Sequence, residues 1–252
     1  MKMRRIDVHC MIGSSANEPL EIRNERELID RLADYNIDQA IVFHSVARDS
    51  NPIAGNEKLL EWTRNEDKLI PCFILSPHYK YDRGWAETER ILREENIRFV
   101  RICPRLHGFT LHGAHTREIF EMAARLRIHV LIDHSEIIDA YGKDMEIFEH
   151  LLKAHPGVNV ILTSVSHRNI MVVYGYLENY PNFYVEFSTY ANTLAYEDAV
   201  SRFGSERLLW GTEMPFRMPG SAITMLSYAD ISVGDKENIA YKNVVKLMEE
   251  GA

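Results

Sequence analysis

Short apolar runs alternate with amphipathic stretches from one end of the chain to the other. The first run is Arg5 to His9 (RIDVH), and the second is Gln39 to Ser45 (QAIVFHS). LIPCFILSPHY, IRFVRICPRLH, IHVLIDHS, VNVILTSVSH, NFYVEFSTY and RLLWGTEMPF complete a set of eight. Between them lie stretches with helical spacing. In NERELIDRLADYN, Leu28, Ile29, Leu32 and Ala33 fall on one face. GNEKLLEWTRNEDK reads as a helix with Asn56 as its N-cap, and TREIFEMAARLR as one capped by Thr116. WAETERILREENI and KDMEIFEHLLKAH are further helices, the latter stopping before Pro156-Gly157. RNIMVVYGYLENY is apolar enough for a partly buried helix, and YEDAVSRFG ends at Gly204, a good residue to follow a helix. Two closing helices are expected around ITMLSYAD and KENIAYKNVVKLMEE.

The runs are continuous rather than alternating, which suits parallel strands covered by helices on their outer face. Eight strand–helix units of about 30 residues predict an α/β fold, a (β/α)₈ TIM barrel, in one domain over residues 1–252. An open doubly wound sheet is the runner-up, but no G-x-G-x-x-G follows the first run, and Gly13-Ser14-Ser15 is a poor substitute.

Composition narrows the function classes. The formal net charge is −8, which argues against general nucleic-acid binding, a process that neutralises phosphates with Lys and Arg. The apolar runs are far shorter than the ~20 residues of a membrane span. MKMRRIDVHC has no apolar core of a signal peptide, so none is expected. The 3 cysteines, Cys10, Cys72 and Cys103, are widely spaced and suit free thiols in a reducing, cytoplasmic setting.

A parallel barrel carries its chemistry at the C-terminal ends of its strands. The predicted strand ends hold His9, His44, His78, Arg101, Arg105, His107, Asp133, His134, Ser164, His167, Glu186 and Glu213. Several of the histidines are therefore expected to share a pocket. Side-chain parity along a strand sends neighbours to opposite faces, so Asp133 is placed inward, with His134 outward unless the strand end bulges. The same rule puts Cys10 behind the barrel wall and lets Cys103 either line the mouth or pack as a small buried thiol. Arg101 facing inward needs an anion, from the protein (Asp133, Glu186) or from a ligand. C-x-x-C, G-x-S-x-G and H-E-x-x-H are all absent from the sequence.

The opening IDVHCMIG resembles the D-x-H-x-H opening of the amidohydrolase superfamily. VRICPRLHGFTL, HPGVNVILTSVS, PNFYVEFST and ERLLWGTEMPF are similar, in order, to later strand segments of its amidohydrolase-related group. That group includes aminocarboxymuconate-semialdehyde decarboxylase and lactone hydrolases. The resemblance implies one or two divalent metals, usually zinc, held by two opening histidines, a histidine on each of strands five and six, and an aspartate on strand eight. Of these positions His9 is kept. Met11, Asp133, Ser164 and Glu213 stand at the others, and a thioether is a poor zinc ligand.

The resemblance therefore implies a hydrolase acting on a small molecule, and Arg101 and Arg105 point to one that bears a carboxylate. Its metal, Zn²⁺ or Mn²⁺, would be held by His9, Asp133 and Glu213. Glu213 and His134 are the catalytic candidates, and Arg101, Arg105 and Ser164 the substrate-binding ones. Two alternatives stay open: a decarboxylase, and a metal-free, non-catalytic barrel that binds a metabolite or partner. Small molecules are the expected partners, not nucleic acid or membrane, and homo-oligomerisation is left open.

Overall fold

The computed structural model describes residues 3–15, 22–137, 144–190 and 192–250. Eight parallel strands run in sequence order: β1 Ile6–Ile12, β2 Gln39–His44, β3 Leu69–Leu75, β4 Phe99–Ile102, β5 His129–Asp133, β6 Val160–Thr163, β7 Phe183–Glu186 and β8 Leu208–Leu209. Closure comes from β1 meeting the chain after β8. Val8 N donates to the Trp210 carbonyl at 3.1 Å and Met11 N to that of Met214 at 2.8 Å, and Cys10 pairs with Met214. The result is the expected (β/α)₈ barrel.

The helices are α1 Glu25–Asp34, α2 Ser45–Asp49, α3 Pro52–Thr63, α4 His78–Asp82, α5 Trp85–Glu94, α6 Ala114–Leu126, α7 Asp144–Ala154, α8 Ile170–Asn179, α9 Ala195–Phe203, α10 Pro219–Tyr228, α11 Val233–Glu237 and α12 Asn243–Glu250. Lys143, at the head of one expected helix, lies outside the described residues. The last expected helix is divided, because a π-helical turn, Asn238–Lys242, joins α11 to α12.

Two expected caps are corrected. Asn51, not Asn56, caps α3 through its Oδ1. Asn56 lies inside α3 and is buried, accepting from Ile74 N at 3.0 Å and donating to the Ile74 carbonyl at 2.9 Å. It thus supplies a helix-to-strand crosslink that satisfies strand polar groups facing the helix layer. Gly113 stands at the N-cap of α6, while Thr116 is in the first turn and donates to the Thr110 carbonyl at 2.7 Å. Gly204 ends α9 at φ 75° as expected.

Strand parity divides the core into two shells. Val100, Ile102, Val130, Ile132, Val160 and Leu162 face the helices and pack with Leu28, Leu32, Leu92, Phe120 and Phe148. Ile6, Val8, Ile41, Ile74, Phe99, Leu131, Ile161 and Leu209 fill the barrel interior. Each such fully buried side chain contributes about 1.5–3 kcal/mol of transfer free energy. The same parity lifts the inward residues Arg101, Asp133, Thr163 and Glu186 to the upper end of the barrel.

Candidate active site

β1 carries a feature that composition does not display. Its register against β2 runs Ile6 to Gln39 and Asp7 to Ala40, then slips, so that Cys10 pairs with Val42. Val8 and His9 together oppose one residue, Ile41. A bulge of this kind re-aims side chains, and bulges concentrate beside active sites. Val8 packs in the interior, while His9 lines the cavity at the barrel mouth. His9 was expected to end the first strand; the strand in fact continues to Ile12.

Asp7 lies behind the bulge, fully buried. It accepts from His9 N at 2.9 Å, from Thr212 N at 3.0 Å and from the Thr212 hydroxyl. The aspartate of the opening motif is thus a staple between β1 and the chain after β8. Burial pushes its carboxyl up to about 6, against the lowering effect of these donors.

The mouth encloses about 1080 Å³, lined by His9, Phe43, Arg48, Arg101, Cys103, Asp133, His134, Glu136, Ser164, His167, Glu213, Phe216 and Arg217 among others. Of the expected site residues, His9, Arg101, Asp133, His134, Ser164 and Glu213 all line it. Arg105 does not: its side chain is exposed and its Nη1 donates to the Ser135 carbonyl at 2.6 Å. Asp133 and His134 both reach the cavity because β5 stops at Asp133 and a 3₁₀ turn starts at His134, ending strand parity there. His134 Nε2 accepts from Asn169 Nδ2 at 2.9 Å, and burial lowers its pKa. Cys103 lines the mouth too, and burial pushes its thiol up.

Three strand-end histidines are outside this cavity. His44 caps α2, its Nδ1 accepting from Val46 N at 3.0 Å, and stacks on Trp62. His78 begins α4 and bonds Ser76 Oγ at 2.7 Å. His107 Nε2 donates to the Arg48 carbonyl at 2.8 Å. Their polarity serves the strand-to-helix turns.

Arg101 is 2% exposed and stands over the Phe43 ring, 4.6 Å from its centroid. Nη1 donates to Thr163 Oγ1 at 3.2 Å and lies 3.9 Å from Asp133 Oδ2, beyond a hydrogen bond. Nε and Nη2 are buried without a protein partner. Asp133 Oδ1 accepts from Ser135 N at 2.9 Å and Ser135 Oγ at 2.7 Å. Burial raises the Asp133 carboxyl, but His9, Arg101 and these two donors outweigh it and hold it below the usual range.

Two further carboxylates support the site from behind: Glu186, expected at the end of the seventh strand as a possible anion for Arg101, and Glu136, which sequence reasoning did not name. Glu186, fully buried, accepts from Ser188 N, from Ser188 Oγ at 2.9 Å and from Ser164 N at 3.4 Å. It also faces His9 Nδ1 at 3.5 Å. Gly211 makes room for it, since a Cβ there would sit 2.9 Å from Glu186 Cδ. Glu136 accepts from Arg105 N at 2.7 Å and Leu106 N at 3.4 Å, pinning the loop after β4. Glu136 was missed because a carboxylate that holds backbone amides leaves no mark in an apolar pattern, and the anion beside Arg101 is Asp133, Glu186 being engaged by Ser188 and Ser164.

Ser164 and Glu213 occupy left-handed backbone, at φ 56° and 59°. Non-glycine residues pay for that conformation, and such positions cluster at functional sites. Ser164 Oγ donates to Glu213 Oε1 at 3.0 Å, and Arg217 Nε donates to Glu213 Oε2 at 2.5 Å.

The expected metal ligands can be tested on these contacts. His9, Asp133 and Glu213 line one cavity, yet among the described residues no three His, Cys, Asp or Glu side chains are grouped to hold a metal. Each carboxylate of the set has its own arginine, Asp133 facing Arg101 and Glu213 bonded to Arg217. Met11 is fully buried in the barrel interior. The donor set does not fit a divalent cation. Among the described residues no helix is long and apolar enough to cross a membrane.

Comparison with known proteins adds fold relatives. An uncharacterized TIM-barrel protein from Bordetella bronchiseptica superposes with a TM-score of 0.78 at 15% identity, covering 99% of each chain. A dihydroxybenzoic acid decarboxylase from a Polaromonas species, solved with manganese and the inhibitor 2-nitroresorcinol, gives 0.75 at 14% identity, over 100% of this chain and 98% of that one. A 5-carboxyvanillate decarboxylase from Novosphingobium aromaticivorans, solved with manganese and 4-hydroxy-3-methoxy-5-nitrobenzoic acid, gives 0.77 at 15%, over 98% and 96%. No curated protein is matched by sequence. The amidohydrolase family model matches residues 6–248, from the first strand into the last helix, and the chain belongs to that family.

Proposed function

We propose that the barrel mouth binds a small carboxylate-bearing molecule, with a flat apolar body, and catalyses its decarboxylation. The observation that carries this reading is Arg101, a buried guanidinium lining the cavity with two N–H groups unsatisfied by the protein. Buried polar groups without partners are rare, and a buried charge is costly unless paired. A ligand carboxylate supplies what is missing. Phe43 and Phe216 give the cavity aromatic wall for an apolar body. Two similar structures are decarboxylases of carboxylated aromatic compounds, which supports the same substrate class here.

Hydrolysis, the leading expectation from the sequence, is less well served. It needs a free base to activate water, and Glu213 is held by Arg217 and Ser164 on its two oxygens. Decarboxylation needs a proton delivered to the carbon that loses CO₂: the C–C bond breaks, its electron pair stays on that carbon, and the proton replaces the carboxyl. His9 is placed for this. It lines the cavity, with its Nδ1 3.5 Å from Glu186 Oε2 and without a hydrogen bond there. Arg101 orients the carboxylate. His134 and Ser164 also line the cavity. Three buried free thiols, Cys10, Cys72 and Cys103, support a reducing, cytoplasmic setting.

The test is CO₂ release by the purified protein from 2,6-dihydroxybenzoate, 5-carboxyvanillate and related acids. Turnover on at least one, lowered about 100-fold or more in kcat by His9→Asn with binding retained, is expected for loss of a proton carrier. Binding without turnover would make the barrel a carrier or sensor, and absence of both would refute the reading.

A further inference from the structure

We infer that the cation which receives the substrate carboxylate is the Arg101 guanidinium itself, so that ligand binding needs no divalent metal. This rests on the carboxylate reading above but goes beyond it, since two similar decarboxylase structures hold manganese.

Three observations converge. The first is which nitrogens of Arg101 lack partners. Nη1 is spent on Thr163 and faces Asp133. The unpartnered pair, Nε and Nη2, forms one edge of the guanidinium fork, with its two N–H bonds parallel. That edge matches the two oxygens of one carboxylate, the bidentate geometry in which arginine binds most strongly. Phe43 beneath the guanidinium closes one face.

The second is the state of the carboxylates. Asp133 Oδ1 takes two bonds from Ser135, and its Oδ2 lies toward Arg101 and Thr163. Glu213 takes Ser164 on one oxygen and Arg217 on the other. Glu186 takes Ser188 on both oxygens and Ser164 on one. A dication would have to break these contacts and would meet the fixed charge of Arg101 beside Asp133. Like charges repel strongly where water is excluded.

The third is Met11, whose side chain fills the barrel interior two residues beyond His9. It packs as a hydrophobe and offers no hard donor to a cation held by oxygen and nitrogen ligands.

The experiment is calorimetric titration of 2,6-dihydroxybenzoate into chelator-treated protein, in EDTA and in excess MnCl₂, with manganese binding followed separately by electron paramagnetic resonance. The expected result is one dissociation constant in both conditions and no stoichiometric manganese. Arg101→Met should weaken binding by roughly tenfold or more, the loss of a charge-assisted pair, and Arg101→Lys, which keeps the charge but not the fork, should fall between. If Arg101→Met fails to fold because Asp133 loses its neighbour, the comparison of EDTA with manganese on unaltered protein still decides. Binding that vanishes in EDTA and returns with manganese would overturn this inference and leave the carboxylate reading standing. Lack of binding in every condition would overturn both.

Discussion

Asp7→Ala provides a demanding test of how the barrel closes. The substitution removes one acceptor and strands three buried donors: His9 N, Thr212 N and the Thr212 hydroxyl. Each unsatisfied donor costs about 1–3 kcal/mol. A second effect opposes this. The Asp7 carboxyl is raised by burial from 3.8 to about 6, so keeping it ionised above that pH costs the folded state about 3 kcal/mol. Removing the side chain removes that cost too. The net loss at about pH 8 is therefore about 3 kcal/mol, taking the middle of the donor range.

The sign of the pH dependence follows from linkage. A carboxyl whose folded pKa is raised holds its proton more tightly when folded. Its stabilisation is present below the unfolded pKa and is lost as pH rises through about 6. At about pH 5 the native protein still retains about 1.4 kcal/mol of this contribution, and at about pH 8 almost none. Urea unfolding of both proteins, followed by circular dichroism, should show Asp7→Ala more damaging at the lower pH by that amount. Equal destabilisation at both pH values, or a greater one at the higher, would refute the assignment of Asp7 as a desolvated staple.

Other expectations are independent of that one. Burial, with Lys58 adding to it, lowers His44 from 6.5 to about 4, so its neutral form stabilises the fold above its unfolded pKa, and about 3 kcal/mol is lost as pH falls through that window. His44→Asn, which keeps a capping acceptor for α2, should flatten the acid limb of the stability profile in urea melts. Gly211→Ala puts a methyl against the Glu186 carboxylate and should cost about 1–3 kcal/mol in thermal unfolding. Combining it with Glu186→Ala should cost less than the two changes summed, because the second removes the atoms the first collides with.

The apolar runs made the eight strands legible because parallel strands under helices are buried on both faces and need no polar alternation. Arg101 and Asp133 could be aimed inward for a related reason: they interrupt otherwise apolar strands at positions whose parity matches Phe99 and Leu131. The bulge at Val8 and His9 was not legible, because it is a relation between two strands and neither sequence alone records the register. Parity left His134 open, outward unless the strand end departed from regular geometry, and the 3₁₀ turn that starts there brings it to the cavity. Asn56 shows the same limit. Its residue type suits a helix cap, and only the packing of α3 on β3 converts it into a crosslink to Ile74.

The site residues differ in legibility according to what their partners are. A residue that acts through one strand, such as Arg101, can be placed by counting. A residue that acts by holding backbone amides of another loop cannot. Glu186 and Glu136 are of the second kind, and they decide what the visible residues can do. Glu186 holds Ser188 and Ser164 and stands 3.5 Å from His9 Nδ1, and Glu136 fixes the loop where Arg105 turns away from the cavity. Arg217, half exposed, likewise pairs with Glu213 through a contact four residues along. The family resemblance implied a metal and a hydrolase; the second set of contacts is what the proposal of a guanidinium receiving a carboxylate rests on. The chemistry of this mouth is therefore set less by which side chains reach it than by which of their atoms the surrounding loops have already engaged.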